Sequence, residues 1–125
     1  MAQYRILIVE DSATMRQLLS FALQRLGEVE ILEAGNGLEG LKVLQGGGVD
    51  VALVDIHMPV MDGFKLIKHI RDDVELKHLP IVIITTEGHP EAMEKARELG
   101  VEYYITKPIR QSDVVEKVRG LLKQR

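Results

Sequence analysis

Hydrophobic positions along this chain follow two rhythms. Residues 6–9, 51–54 and 81–84 are short unbroken apolar runs, rich in β-branched side chains. Strands buried on both faces of a parallel sheet read this way, because neither face meets water. Val29–Ala34 alternates apolar and polar residues, as an edge strand with one wetter face does. Residues 103–105 make a fifth, shorter candidate.

Between the runs the period changes to that of a helix. Met15, Leu18, Leu19, Ala22, Leu23 and Leu26 form one predicted apolar stripe. Ser12 is placed to cap its start and Gly27 to end it. Residues 36–44 predict a shorter helix closed by the triple glycine 46–48. Asp62 is placed to cap a third helix that carries Phe64, Ile67 and Ile70. Pro90 suits the first position of a fourth, with Ala92, Met93, Ala96 and Leu99 inward and Gly100 after it. Ser112 is the expected cap of the last, whose stripe is Val114, Val115, Val118, Leu121 and Leu122. Strand and helix thus alternate five times. Right-handed crossovers turn that order into a parallel sheet with helices on both faces, one α/β domain over residues 1–125.

Composition narrows the possibilities. Of 125 residues, 46% are hydrophobic, enough for a real core, and the formal net charge is −3. A nucleic-acid surface would be basic, so none is expected. With no cysteine, disulfides and thiolate metal sites are excluded. The first apolar run spans four residues, too few for a membrane span or a signal peptide. The expected location is the cytoplasm.

The candidate chemistry lies at one edge. In open α/β sheets, sites form beyond the carboxyl ends of the strands. Glu10 and Asp11 end the first run, Asp55 the third and Thr85 the fourth, and Lys107 follows the fifth. Three converging carboxylates repel, by about 4 kcal/mol per pair at ~4 Å and an effective dielectric of 20. One ammonium cannot offset them, whereas a hard divalent cation can, and an all-oxygen ligand set suits Mg²⁺. That ion would also neutralise an incoming phosphoryl group. Asp55 is then the nucleophile, Lys107 the second positive charge and Thr85 a hydroxyl donor.

Taken in order, Val-Glu-Asp-Ser at 9–12, the block Val-Asp-Ile-His-Met-Pro-Val-Met-Asp-Gly at 54–63, Thr85-Thr86 and Lys107-Pro108 resemble the receiver domain of bacterial two-component response regulators. The likeness covers essentially the whole chain and looks like the stand-alone chemotaxis type. It implies the flavodoxin-like strand order 2-1-3-4-5. It implies phosphoryl transfer to Asp55 from a phosphohistidine on a histidine kinase or phosphotransfer protein. By the same resemblance Asp11, Asp55 and the His57 main-chain carbonyl hold Mg²⁺, and Glu10 acts through a water. Lys107 contacts the phosphoryl oxygens and joins Pro108 by a cis bond. Thr85 and Tyr104 move together as a switch. A downstream target, such as a flagellar motor switch protein, reads the face of the fourth helix, fifth strand and fifth helix. His57 and Glu87 occupy positions that tune dephosphorylation. The expected protein is a monomeric switch, not a turnover enzyme.

Rival readings stay open on sequence alone. A phosphorelay intermediate without its own output carries the same residues. A flavodoxin-like cofactor binder would need a phosphate-cradling loop where Glu10 and Asp11 stand. An aspartyl-phosphate phosphatase would need a second acid placed as general acid. Asp62 reads as a helix cap rather than a metal ligand. His57, His69, His78 and His89 show no metal-ligand spacing.

Overall fold

A computed structural model describes residues 4–86 and 90–123. Five strands, β1 (Tyr4–Val9), β2 (Val29–Ala34), β3 (Val51–Asp55), β4 (Ile81–Thr85) and β5 (Tyr103–Thr106), pair in parallel in the order β2-β1-β3-β4-β5. This is the expected doubly wound order. Five helices connect and cover them: α1 (Ala13–Leu23), α2 (Gly37–Gln45), α3 (Gly63–Asp72), α4 (Pro90–Glu98) and α5 (Gln111–Lys123).

Successive strand residues point to opposite faces, so each central strand feeds two cores. Ile6, Ile8, Leu53, Val82 and Ile84 pack with Leu19, Leu23, Val114 and Val118 from α1 and α5. Leu7, Val9, Ala52, Val54 and Ile83 pack with Leu44, Leu66, Ile70 and Ala96 from α2, α3 and α4. Continuous apolar runs were therefore required, because both sides of β1, β3 and β4 are covered. The outer strands β2 and β5 have one neighbour each, which explains their mixed composition.

Two predicted caps form, at Ser12 and Asp62, and Asn36, expected inside its helix, caps it instead. The Ser12 hydroxyl accepts from the Met15 amide at 3.2 Å, Asn36 from Glu39 at 2.9 Å and Asp62 from Lys65 at 2.9 Å. The cap predicted at Ser112 does not form. Helix α5 begins at Gln111, and the amides of Asp113 and Val114 both reach the Arg110 carbonyl. The cap position thus falls on Arg110, and Ser112 lies inside the first turn. Gly27 ends the first helical stretch as expected, at φ 101°, after a 3-10 turn at Gln24–Leu26. Leu18 departs from its stripe. It is 43% exposed while Leu19, Ala22 and Leu23 are buried, because the arc that α1 presents to the sheet and α5 is narrower than six apolar positions. Among the described residues, no helix is long and apolar enough to cross a membrane.

Candidate phosphoryl-acceptor site

The site is assembled by the turns that leave β1, β3 and β5. After Val9, the Glu10 amide still donates to Ala34 at 3.0 Å, holding the chain against β2 for one more residue. The Ser12 amide donates to Glu10 Oε2 at 3.0 Å and folds that carboxylate back over the turn. Asp55 is the last residue of β3, level with Ile84 of β4. The chain then loops through residues 56–62 and returns so closely that a Cβ on Gly63 would overlap the Asp55 carbonyl oxygen. Only glycine fits there. Within that loop the Met61 amide reaches back to Pro59 at 2.7 Å, and Val60 takes φ 69°. This is a γ-turn of the rare, strained form, and a β-branched residue pays more for it than most. The Met61 carbonyl accepts from the Gly37 amide at 3.1 Å, which ties the loop to α2.

Lys107 comes from the far side. Its amide donates to the Thr85 carbonyl at 2.8 Å, and its peptide bond to Pro108 is cis, as the resemblance implied. Its ammonium lies 2.8 Å from Glu10 Oε1 and 3.5 Å from Asp55 Oδ2. Glu10, Asp11 and Asp55 each offer a carboxylate oxygen, all within 4.8 Å of one another. Glu10 and Asp55 are buried at 1% and 4% exposure, whereas Asp11 is exposed.

Electrostatics leave this cluster short of positive charge. Burial pushes the Asp55 carboxyl up, Asp11 adds to the rise, and Lys107 with the His57 amide only partly opposes it. Burial likewise raises Glu10, despite hydrogen bonds from Lys107 and the Ser12 amide. For Lys107 burial works downward, but Glu10 and Asp55 outweigh it and its pKa ends above the ordinary value. Three acids against one ammonium leave a formal −2. An all-oxygen donor set with excess negative charge fits Mg²⁺, whose charge answers the deficit.

The structure thus brings together Glu10, Asp11, Asp55 and Lys107. Thr85 is the buried last residue of β4, joined to Lys107 through the main chain. His57 is exposed, two residues beyond Asp55, and its amide donates to the Asp55 carboxylate. Tyr104 stands apart from the acids. Its half-buried ring packs on the α2–α3–α4 side, and its hydroxyl lies 3.1 Å from the Met93 carbonyl of α4 and 3.4 Å from that of Val101. Tyr103 faces the opposite core, as strand alternation requires. Glu87 lies outside the described residues. Two features escaped sequence reasoning: the direct Lys107–Glu10 bond, and Arg16, which grips the Glu10 main chain. Neither has a motif to announce it.

Similarity to known proteins follows the same outline. Residues 6–119 match the response regulator receiver domain. The chain is 42% identical over 114 residues to chemotaxis protein CheY-3 of Vibrio cholerae, covering 91% of this chain and 88% of that protein. It is 38% identical over 119 residues to chemotaxis protein CheY1 of Helicobacter pylori, covering 94% and 96%. In three dimensions it superposes on crystalline CheY4 of Vibrio cholerae with a TM-score of 0.89 at 32% identity, covering 96% of this chain and 99% of that one. The chain belongs to the response regulator receiver domain family. Within it, the chain is of the chemotaxis CheY type.

Proposed function

We propose that this chain is a Mg²⁺-dependent phosphoryl-acceptor switch acting through Asp55. The observation that carries the reading is the convergence of Glu10, Asp11 and Asp55 to within 4.8 Å of one another, with the Lys107 ammonium against Glu10 and Asp55. Mg²⁺, when bound, supplies positive charge that shields the incoming phosphoryl group from the acids. Asp11, Asp55 and the His57 carbonyl are the residues that would hold it, with Glu10 acting through a water. An Asp55 carboxylate oxygen attacks phosphorus, and the bond from phosphorus to the donor's histidine nitrogen breaks. The electron pair of that bond leaves with the nitrogen. Lys107 stabilises the charge on the phosphoryl oxygens, and the Thr85 hydroxyl donates to one of them.

Once formed, the acyl phosphate draws Thr85 inward and Tyr104 follows. Tyr104 is bonded to the α4 main chain at Met93, so its movement alters the surface of α4, β5 and α5. A partner that prefers one surface shifts the population between the two states. His57 and Glu87 set how fast water removes the phosphoryl group. The partners in this reading are a histidine kinase or phosphotransfer protein upstream and a target such as the flagellar motor switch downstream. The protein acts as a cytoplasmic monomer of one domain, a signalling element whose only chemistry is on its own aspartate. Two of its supports are the family membership and the sequence similarity to chemotaxis proteins.

Radiolabelled acetyl phosphate is the direct test. Wild-type protein takes up label with Mg²⁺ and not with a chelator, and Asp55→Asn takes up none while keeping its fold by circular dichroism. Undiminished labelling of that variant rejects Asp55 as the acceptor.

A further inference from the structure

Arg16 sits on the second turn of α1, one turn beyond the acidic pair. Its guanidinium is partly buried, with the side chain 22% exposed. Nη1 donates to the main-chain carbonyl of Glu10 at 2.7 Å, and Nε donates to Glu33 Oε1 at 3.0 Å. One planar fork thus spans three pieces of chain: α1, the turn after β1, and the end of β2. Two donors fixed in one plane hold two acceptors in a set relation, which a single flexible ammonium does not do.

The carbonyl that Arg16 grips belongs to the peptide linking Glu10 to Asp11. Rotation of that peptide swings the Asp11 amide and Cα together. Glu10 has three further anchors, its amide on Ala34, Oε1 on Lys107 and Oε2 on the Ser12 amide. Asp11 is the exposed member of the acidic trio, its carboxyl meets that of Glu10, and its Cα follows the peptide that joins the two. The Glu10–Asp11 peptide plane is held at its carbonyl by Arg16. We propose that Arg16 is a positioning residue for the cation site. By fixing that peptide, it pre-orients Asp11 toward Asp55, and Glu33 keeps the guanidinium aimed.

This inference rests on the acidic trio being the Mg²⁺ site. Residues that orient metal ligands carry about 10- to 100-fold in metal affinity when removed. Arg16→Met keeps the length and apolar stem and loses both donors. It is expected to weaken Mg²⁺ binding at least tenfold, read from amide shifts of Glu10 and Asp11 in an NMR titration with Mg²⁺ alone. Labelling by acetyl phosphate is expected to need at least tenfold more Mg²⁺, with the rate at saturating Mg²⁺ within about threefold of wild type. Glu33→Gln, which keeps an oxygen acceptor but not its charge, is expected to give a smaller weakening in the same direction.

The controls separate the two ideas. If wild-type protein neither binds Mg²⁺ at the trio nor takes up label, the phosphoryl-acceptor reading fails. If wild type does both and Arg16→Met shows the same Mg²⁺ midpoint within twofold, the positioning role of Arg16 is overturned. Should the methionine variant not fold, Arg16→Lys answers instead. A midpoint raised severalfold supports the role, because an ammonium cannot serve both acceptors in one plane, and an unchanged midpoint rejects it.

Discussion

The two ends of the sheet each bury part of a cation and surround it with different partners. At the carboxyl end, the Lys107 ammonium faces the carboxylates of Glu10 and Asp55. At the amino end, the Arg71 guanidinium, from the last turn of α3, donates to main-chain carbonyls of Leu99 at 2.8 Å, Leu79 at 2.8 Å and Lys77 at 3.0 Å. Burial costs both cations. For Lys107 the anions more than repay it and the pKa rises, whereas for Arg71 burial lowers the pKa. The backbone follows the same division. Left-handed turns at the amino end fall on Gly47 and Gly48, at φ 81° and 82°, where glycine adopts them without strain. At the carboxyl end the left-handed residue is Val60. The turns of the amino end are therefore relaxed. The other end carries excess negative charge and a strained turn, and strain of that kind gathers at functional sites.

The sharpest way to break this contrast is to remove each cation in turn. Lys107→Met is expected to slow phosphoryl uptake from acetyl phosphate by about 10²- to 10³-fold, the usual loss when one group that stabilises developing charge is deleted. Arg71→Met is expected to leave that rate within about threefold but to cost 2 kcal/mol or more, roughly, since partly buried carbonyls lose their donor. Label incorporation and urea midpoints of the two variants measure the two effects. Equal losses of rate from both would erase the distinction between the ends.

A second test adds the cation whose charge would answer that of the acids. With Mg²⁺ at a hundred times its dissociation constant, wild-type protein gains about 2.7 kcal/mol against unfolding, and Asp55→Asn gains far less. Thermal melts with and without Mg²⁺ read this directly. Equal gains for the two proteins would place the bound ion elsewhere.

Acidity gives a third test. Glu10 and Asp55 titrate higher in the folded protein than in the unfolded chain, so the folded state holds its protons longer. Their contribution to stability is complete below the unfolded carboxylate range and is lost as pH rises through the folded values. In chelator, Asp55→Asn is therefore expected to gain stability over wild type near neutral pH, and the gain shrinks as pH falls toward 4, about the unfolded value of an aspartate. Urea titrations at several pH values measure it, and a gain that grows on acidification contradicts the sign. The smallest effect concerns the strained turn. Val60→Asn, better suited to positive φ, is expected to add about 1 kcal/mol to stability without weakening Mg²⁺ binding.

Much of the architecture was legible because burial on two faces leaves a plain mark. β1, β3 and β4 show as unbroken apolar runs, and β2 shows its edge position by alternation. The caps Ser12 and Asp62 were legible because a short polar side chain before an apolar period has few other uses, whereas Asn36 reads as the first helical residue and is the cap instead. Ser112 misled for the same reason: Arg110 takes the cap position two residues earlier, and a cap with no side-chain acceptor leaves no sequence mark. Leu18 misled because a periodicity counts apolar residues without knowing how wide an arc the neighbours cover. At the site, Glu10, Asp11, Asp55, Thr85 and Lys107 could be placed at one edge, since each ends or follows a strand. Arg16 and Arg71 could not be singled out, because their partners include main-chain carbonyls that every residue carries.

Local chemistry along the chain determined which residues form strands, where most helices begin and which side chains reach the reactive edge. Pairing across the sheet decided the rest. Lys107 is 97 positions from Glu10 yet bonds it at 2.8 Å, closer than the 3.5 Å to Asp55. Periodicity reports what each residue prefers to have around it. Which of two carboxylates an ammonium meets, and which carbonyl a guanidinium holds, depends on distances of a few tenths of an ångström that only the packed helices and strands set.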